Sequence, residues 1–287
     1  MNAFSPAFGN FVKKVTISLV ASGVLLFAAM RQSPAHRAEP VVSGPGLSVL
    51  TLNMAKQTGM QKILGEFRAS PALANADILL LQEVKQDDGA RQCAAEQLAA
   101  GLGLHVAYSP ATTGITDQGL AILSRYPLRD VRVQPLKRFD LRYRSRTRIA
   151  LAATADSPWG PVRIFNAHLD TRLNIADRLA QLQSVVQAQG EFHGPTIVGG
   201  DFNSNWFYWL DHVVPLPGRS QARGVENYMV SNGFRTALPE NETTFDYLGM
   251  HLDWIWLRGL ESQAYRVYPL EFSDHHAVWT RVVFPSA

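Results

Sequence analysis

Cysteine is almost absent from this chain, since Cys93 is the one cysteine among 287 residues. A single cysteine excludes an intrachain disulfide, and with it the small secreted folds that disulfides hold together. A chain of this length buries enough apolar surface to fold without such cross-links, so both an intracellular and an exported protein fit this composition. Apolar residues make up 46% and charged residues 18%, which excludes a disordered chain of low hydrophobicity and high charge.

Acidic residues are missing from the first 38 positions, where the charged side chains are Lys13, Lys14, Arg31 and Arg37. Subtracting these four from 27 basic residues leaves 23 against 24 acidic residues, a formal charge of −1. The net charge of +3 therefore comes from the N-terminus. The rest of the chain lacks the overall positive charge that nonspecific binding to nucleic acid would use.

The N-terminal segment has the pattern of a targeting sequence. Residues 15–30 carry no charge and directly follow Lys13 and Lys14. A basic region followed by a 16-residue apolar run is typical of a signal peptide or a short membrane anchor. Small residues would allow cleavage after Ala35, whereas Arg31 directly after the run is typical of an uncleaved anchor. Both interpretations place the body of the protein outside the cytoplasm. The remaining alternative is a buried core helix, against which the absence of an amphipathic stripe argues.

Beyond this segment, short apolar runs alternate with turn residues, which is typical of strands. We therefore predict residues 1–38 as a signal peptide or anchor with the start of a linker, 39–46 as the linker, and 47–287 as one domain. The predicted strands are Leu47–Asn53, Asp77–Gln82, Gly119–Ser124, Arg148–Thr154, Val162–His168, Thr196–Gly200, Leu252–Leu257 and Ala277–Val283.

Helical periodicity is found in two segments, Gly89–Ala100 and Ile175–Gln189. The second has an apolar stripe of Leu179, Leu182, Val185 and Val186. Alternation of polarity, as in Val162–Arg163–Ile164, indicates antiparallel strands with one covered face. Many strands and few helices predict two packed sheets flanked by helices.

Polar residues interrupt these apolar runs at the strand ends. A buried carboxylate, amide or imidazole is costly unless it is paired, and a single one is most often a strand cap. Repetition at six strand ends indicates a functional site instead. These residues are Asn53, Gln82 and Glu83, His168, Asp201 and Asn203, Asp253, and Asp274 and His275.

The segments that carry these residues are LTLN, LLLQEV, GLAILSRYPL, RIALA, IFNAHLD, GGDFNS, LDWIW and SDHHAV. In this order, over about residues 47–284, they resemble the endonuclease/exonuclease/phosphatase superfamily. That superfamily includes pancreatic-type deoxyribonucleases, apurinic endonucleases, neutral sphingomyelinases and inositol-polyphosphate phosphatases. The resemblance implies a four-layer α/β/β/α sandwich of two mainly antiparallel sheets flanked by helices, with the site at one edge of both sheets. It also implies Mg²⁺-dependent hydrolysis of phosphate esters.

The resemblance implies a metal site centred on Glu83. Mg²⁺, or Mn²⁺ in its place, prefers oxygen ligands such as this carboxylate. Asn53 resembles the amide next to that metal, and Asp274 a second carboxylate close to it. Ala55 stands where some apurinic endonucleases have an acid, which favours one main metal site. A zinc site is disfavoured because the histidines lack paired spacing such as HxxxH.

The resemblance also implies the residues that act on the phosphate. His275 resembles the catalytic imidazole, and Asp253 would orient it and raise its pKa. Asp201 and Asn203 resemble the pair that orients the attacking water and holds a phosphate oxygen, with Asp201 also a candidate base. The expected phosphate and substrate contacts are His168 and Arg148.

Two further segments bear on the substrate. Nine basic residues lie between Arg125 and Arg148, with Phe139 and Tyr143 among them. They form either a track for a polyanion, with the arginines of residues 140–148 alternating on one strand face, or the solvated face of an edge strand. The aromatic cluster at 205–210 would meet a lipid interface or a nucleobase if exposed, and would be core packing if helical. Nucleic acid is slightly favoured over phospholipid, sphingomyelin or a phosphorylated lipid.

Membrane contact is expected through the N-terminal segment, and the protein is expected to be monomeric. A catalytically dead, membrane-tethered binding module is the remaining alternative. It would predict the loss of some catalytic positions, which the sequence retains.

Overall fold

The computed structural model describes residues 45–86, 92–111, 118–142, 147–190, 192–239 and 241–285. The predicted N-terminal apolar segment, and all of the predicted linker except its last two residues, lie outside these ranges. Within the described ranges, no helix is both long and apolar enough to cross a membrane. The boundaries at 38 and 46 therefore stay predictions.

The described residues form fourteen strands, numbered along the chain. They are β1 (Leu47–Asn53), β2 (Ile78–Lys85), β3 (His105–Pro110), β4 (Gln118–Ser124), β5 (Leu128–Pro135), β6 (Ile149–Ser157), β7 (Gly160–His168), β8 (Thr196–Asp201), β9 (Phe207–Leu210), β10 (Val214–Pro217), β11 (Arg235–Thr236), β12 (Asp253–Arg258), β13 (Glu261–Tyr268) and β14 (Ala277–Val283). The helices are α1 (Met60–Ala69), α2 (Pro71–Ala74), α3 (Ala94–Leu102), α4 (Ile175–Ala188) and α5 (Ala222–Ser231), with a 3-10 turn at Tyr247–Gly249.

Twelve of these strands form two six-stranded sheets. The first has the order β13-β14-β1-β2-β4-β3, and the second has the order β11-β12-β8-β7-β6-β5. The central pairs β1–β2 and β7–β8 are parallel, and the other pairs are antiparallel. Strands β9 and β10 form a separate two-stranded hairpin.

Three hydrophobic cores separate the layers. Between the sheets, Leu80 of β2 and Ile122 of β4 belong to one core with Ile164 of β7 and Ile197 of β8. The outer core of the first sheet contains residues of α1 and α3, and that of the second sheet contains residues of α4 and α5. The predicted α/β/β/α sandwich of two mainly antiparallel sheets is therefore confirmed.

Both faces of the central strands are covered, which corrects the expectation of one covered face. In β7, Val162 and Ile164 face the other sheet, while Phe165 packs in the outer core. Arg163 between them is also buried, where its guanidinium stacks over Phe165 and donates to Thr154. The alternation in sequence reflects one buried arginine that is satisfied by local contacts, not a solvated face.

A β-bulge in β2 changes the direction of its last side chains. Leu81 pairs with Ala121 of β4, but the next pair is Val84 with Gly119, so two residues of β2 oppose one of β4. Glu83, within the bulge, has a φ of 49°. A bulge interrupts the alternation of a strand, so Leu81 and Val84 can both pack in the outer core. Glu83 is therefore left outside that core, near the end of β2.

Candidate active site

The predicted site residues lie where strands of both sheets end. Asn53 is the last residue of β1, and His168 and Asp201 are the last residues of β7 and β8. His168 pairs with Asp201 in the parallel register, and Asp253 at the start of β12 lies opposite Asp201. His275 precedes β14, which neighbours β1. One edge of the sandwich therefore combines polar groups from both sheets.

Asp201 lies at the centre of this group and is almost fully buried. Its Oδ2 accepts a hydrogen bond from Asn53 Nδ2 at 3.1 Å and lies 3.4 Å from His168 Nε2 and 3.9 Å from His275 Nε2. Its Oδ1 accepts the backbone N–H of Asn203 at 2.9 Å. Four predicted site residues, contributed by both sheets, therefore converge on one carboxylate.

His275 is held by Asp253 from the side opposite Asp201. The ring Nδ1 lies 2.8 Å from Asp253 Oδ2, and both side chains are buried. Asp253 is positioned by Thr244, whose hydroxyl accepts the backbone N–H of Asp253 at 3.0 Å. The ring of Phe245 packs on the imidazole with centroids 4.7 Å apart. With Nδ1–H donated to Asp253, Nε2 is the atom that remains for chemistry.

The electrostatics of the pair favour a charged imidazole. Burial alone would lower the pKa of His275, but the carboxylates of Asp253 and Asp201 outweigh it and raise the pKa to about 10. Burial raises the pKa of the Asp201 carboxyl to about 6, against the opposing effect of His275. Near neutral pH the imidazole is therefore a cation, and its Nε2–H is a charged donor.

Glu83 is half-buried at the bulge, next to Lys56. Its Oε2 lies 3.6 Å from Lys56 Nζ, and the lysine side chain is 40% exposed. Asn53 is nearby, since it pairs in register with Gln82. Asn53 Oδ1 also accepts the backbone N–H of Ala55. The carboxylate thus lies at the same sheet edge as Asp201, paired with a cation that can move into solvent.

Backbone strain occurs at and just after these strand ends. Ala55, Lys56, Glu83 and Asn203 have positive φ values between 46° and 59°. Such conformations cost non-glycine residues roughly 1–3 kcal/mol each and are concentrated at functional sites. Gly200, with a φ of 133°, precedes Asp201, and a Cβ there would collide with the carbonyl of Ala167. The close approach of β7 to β8 beside the site therefore requires glycine.

Two predicted residues are placed differently from expectation. Arg148 is buried, and its Nε donates to Asp170 Oδ1 at 3.0 Å, while Gln181 holds the other oxygen of that carboxylate at 2.8 Å. This pairing favours a positioning role for Arg148 over a direct contact with substrate. Asp274 is exposed, and what the structure supports is its electrostatic effect on His275. Its role as a metal ligand stays a prediction.

The described basic residues of the 125–148 stretch do not form a single track. Arg125 pairs with Asp77 before β2, and Arg129 pairs with Asp156 near the end of β6, both at the edge opposite the site. Arg148, just before β6, lies at the site edge, since Ala150 pairs with Ala167 of β7. Residues 140–142 and 147–148 are outside strands. Residues 143–146 lie outside the described ranges, so the expected alternation of the arginines stays a prediction.

The aromatic cluster is a strand, not a helix, and half of it is exposed. Phe207 and Trp209 of β9 are half-buried and form an edge-to-face pair. Trp206 and Tyr208 are 41% and 53% exposed. One face of this strand is therefore half-buried and the other is exposed, and neither Phe207 nor Trp209 belongs to the three hydrophobic cores.

Arg178 is a further residue of the site region, and it was not among the predicted site residues. It is fully buried and bonds the carbonyls of Asp170 and Phe202, which follow β7 and β8. An arginine on the buried face of α4, beside Gln181, was the available signal. The apolar stripe predicted for this helix included Leu179 and Val186, which are only partly buried. Arg178 and Gln181 are fully buried instead, so the buried face of the helix differs from the predicted one.

The sequence profile of the Endonuclease/Exonuclease/phosphatase family matches residues 50–275, which include every site residue discussed above. The chain belongs to this family. Its members are phosphoesterase hydrolases that depend on metal ions. Among curated protein sequences, no significant match to this chain is found.

Solved structures share the fold at low sequence identity. The endonuclease/exonuclease/phosphatase from Beutenbergia cavernae is 18% identical, with a TM-score of 0.67 over 85% of this chain and 73% of its own. The human Nocturnin catalytic domain with bound sulfate is 20% identical, with a TM-score of 0.62 over 84% and 94%. ANGEL2, a 2',3'-cyclic phosphatase, is 19% identical, with a TM-score of 0.59 over 82% and 95%. At these identities the likeness concerns the fold.

The site has the donor atoms that a divalent cation requires. The Glu83 carboxylate is already paired with the partly exposed ammonium of Lys56, which a metal ion could replace. Ligand atoms of Asp201, Asp253 and His275 also lie within 4.8 Å of one another. The protonated His275 ring offers no lone pair, but the Asp253 Oδ1 has no hydrogen-bond partner among the described residues. Carboxylate and amide oxygens suit a hard cation such as Mg²⁺. The residues present therefore fit the metal dependence of the family.

Proposed function

We propose that this protein is a Mg²⁺-dependent phosphoesterase that hydrolyses phosphodiester bonds by in-line attack of water. The observation that carries this proposal is the line of buried groups from Asp253 through His275 to Asp201, with separations of 2.8 Å and 3.9 Å. It lies at the same sheet edge as the Glu83 bulge.

Glu83 and Asn53 would hold the metal ion, with Asp274 as a further carboxylate nearby. When bound, Mg²⁺, or Mn²⁺ in its place, supplies a Lewis acid that polarises a phosphoryl oxygen and neutralises developing charge. The side chain of Lys56 would leave Glu83 on binding, since two cations cannot share that carboxylate without repulsion.

Asp201 is the candidate base for the attacking water. Its carboxylate is fixed by Asn53 and by the N–H of Asn203, so its oxygens are oriented before substrate arrives. As the water oxygen bonds to phosphorus, Asp201 takes the water proton. The ester P–O bond breaks on the opposite side, and the leaving oxygen departs with its electron pair and takes a proton from solvent.

His275 and His168 would face the charge that develops on the phosphate. The Nε2–H of His275 is a charged donor because Asp253 holds the protonated ring, and charged donors stabilise such oxygens most strongly. His168 Nε2 lies on the other side of Asp201 Oδ2, at 3.4 Å. The side-chain amide of Asn203 is anchored by one bond to the carbonyl of Leu169, which leaves its second N–H for a phosphate oxygen.

Two substrate classes remain, nucleic acid and a phospholipid or related phosphorylated lipid. The expectation of nucleic acid depended on the basic residues of 125–148 acting together, and those described lie at both edges of the sandwich. A lipid is supported by the exposed aromatic hairpin that follows Asn203. A catalytically dead module is disfavoured because Asp201, Asp253 and His275 converge on one another.

The test is hydrolysis of the soluble diester bis-para-nitrophenyl phosphate by the full chain in detergent. We expect activity with Mg²⁺, its loss in excess chelator, and its return when Mg²⁺ or Mn²⁺ is restored. His275→Ala should reduce the rate roughly 10²–10⁴-fold. The matched control is His105→Ala, since His105 is exposed on β3. Full activity in chelator, or in His275→Ala, would overturn the proposal.

We also propose that the domain lies outside the cytoplasm as a monomer. This proposal is supported by the basic residues Lys13 and Lys14 before the apolar run 15–30. The hydrolytic site does not depend on it, because all described site residues lie between Asn53 and His275.

A further inference from the structure

An apolar surface lies on the hairpin that follows the Asp201–Asn203 loop. In the antiparallel register, Tyr208 of β9 is opposite Leu216 of β10, and Leu210 is opposite Val214. Residues opposite one another, and residues two apart on one strand, share a face. All four are 40–53% exposed, and Trp206, two residues before Tyr208, is 41% exposed. We call these five residues the apolar ribbon.

The hairpin that carries the apolar ribbon is fixed to the domain. The side chain of Asn174, just before α4, donates to the carbonyl of Trp209 at 3.0 Å and accepts its N–H at 2.8 Å. Gln221 donates to the carbonyl of Phe207 at 3.1 Å. These three bonds hold the backbone of β9, so the exposed side chains of Tyr208 and Leu210 are presented to the exterior in a defined orientation.

The composition of this region suits a lipid interface. Between Ser204 and Arg223 the one acidic residue is Asp211, and its carboxylate lies 3.4 Å from the guanidinium of Arg142. Trp and Tyr have amphipathic rings that favour the headgroup level of a bilayer. Basic residues such as Arg219, which follows β10, favour anionic headgroups. A second copy of the chain fits this surface less well, because the ribbon has five residues whereas a stable dimer buries about 20–30 residues a side.

The position of the ribbon connects it with the site and with the N-terminus. Trp206 is three residues from Asn203, a span of at most about 11 Å. The apolar run ends at Met30 and the described chain begins at Pro45, so 14 residues (31–44) connect them. Extended, they span up to roughly 50 Å.

We infer that the apolar ribbon docks on a lipid bilayer and so presents the Asp201–His275 site to phosphate esters at the membrane surface. The choice of a surface-bound substrate depends on the proposed function, whereas docking itself does not. The inferred contact is made by the five side chains of the apolar ribbon. It is distinct from any insertion of residues 15–30 and from binding of substrate by the catalytic side chains.

The experiment uses the full chain in vesicles of phosphatidylcholine and anionic phosphatidylglycerol with or without brominated acyl chains, which quench tryptophan in contact with them. Residues 1–44 contain no tryptophan, so the fluorescence comes from the domain. We expect quenching that is largely lost in Trp206→Phe. The matched control is Trp159→Phe, because Trp159 is 38% exposed beside Gly160, at the other end of β7 from His168.

A second pair of variants separates docking from local effects on one fluorophore. Tyr208→Ser/Leu216→Ser should lower the quenching of Trp206, whereas Val131→Ser/Val133→Ser on β5, also exposed, should leave it unchanged. Near-UV circular dichroism checks that each variant remains folded. Glu83→Gln should be quenched like the parent, which distinguishes failure of docking from failure of the proposed hydrolysis.

Three outcomes would overturn the inference. Quenching that Trp206→Phe leaves intact would mean that another surface meets the lipid. Absence of quenching in the parent would mean that the domain does not dock. Burial of Trp206 that depends on protein concentration, without bromolipid quenching, would assign the ribbon to a second copy of the chain.

Discussion

Arg178 is the residue whose replacement should most clearly separate support of the site from its chemistry. Its guanidinium is fully buried and has five N–H donors, one on Nε and two on each terminal nitrogen. Each donor has an acceptor: Nε bonds Gln221 Oε1, Nη1 bonds the carbonyls of Asp170 and Phe202, and Nη2 bonds those of Thr171 and Leu173, at 2.7–3.4 Å. The loops after β7 and β8 are thereby joined to α4 and to the start of α5.

Arg178→Met keeps the length of the side chain and removes all five bonds. The carbonyls of Asp170, Phe202 and Leu173 then lose close partners, at roughly 1–3 kcal/mol for each buried group. Part of this loss is offset because a buried cation is costly, as the burial that lowers the pKa of Arg178 to about 9 indicates. Removing one partner of a buried charged network typically costs about 3–5 kcal/mol.

The assay is thermal and urea unfolding of the full chain in detergent. A loss of about 3–5 kcal/mol lowers the melting temperature by roughly 6–20 °C in a domain of this size. Arg132→Met is the matched control, because Arg132 is exposed on β5 and its replacement should change stability by no more than about 0.5 kcal/mol. Arg178→Met with the stability of the parent would refute the reasoning.

Three further predictions concern the site, the substrate and the localisation. His275→Ala and Asp253→Asn should each reduce kcat more than they raise KM. Their effects should be non-additive, because Asp253 acts through His275. Multiplicative losses of activity in the double variant would argue against the pairing. In Asp253→Asn the pKa of His275 should also fall, because a carboxylate that raises it is gone, and NMR titration of the ring measures this. A nuclease should lose affinity by about 0.9 log units per log unit of salt for each phosphate contacted, and Arg142→Ala should weaken it. Salt-insensitive hydrolysis of vesicle lipid that is lost in Trp206→Ala would instead identify a lipid enzyme. A reporter that is active only after export, fused at Ala287, should be active; an inactive but folded fusion would contradict the predicted orientation.

The strands that could be predicted well are those buried on both faces. Leu47–Asn53 and Ala277–Val283 are found with the predicted bounds. The first is buried along its whole length and ends at polar Asn53, and the second begins directly after His275 and His276. Helix α1 was missed, since the sequence MQKILGEFRA buries only Ile63 and Phe67 and its N-cap, Gly59, makes no side-chain bond. Helix α3 begins at Ala94 and not at Gly89, because Cys93 and Glu96 form a capping box there.

Convergence of the site could be predicted, but its local geometry could not. Polar residues at strand ends predict one edge, and Asp201, Asp253 and His275 do meet there. The bulge that frees Glu83 depends on pairing with β4, a contact over more than thirty positions that no local pattern encodes. The pairing of Arg148 with Asp170 depends on tertiary contacts in the same way.

The Mg²⁺ dependence of hydrolysis in Glu83→Gln tests the central claim most directly. The substitution keeps the shape of the side chain and removes the charge that would hold the metal. The control is Glu261→Gln, which changes an exposed carboxylate at the start of β13. Bis-para-nitrophenyl phosphate hydrolysis is measured across a Mg²⁺ series with unfolding curves for each protein. We expect Glu83→Gln to remain folded but to lose activity by orders of magnitude, or to need far more Mg²⁺ than the parent and Glu261→Gln. Full activity of Glu83→Gln at the Mg²⁺ concentration that half-activates the parent would contradict it.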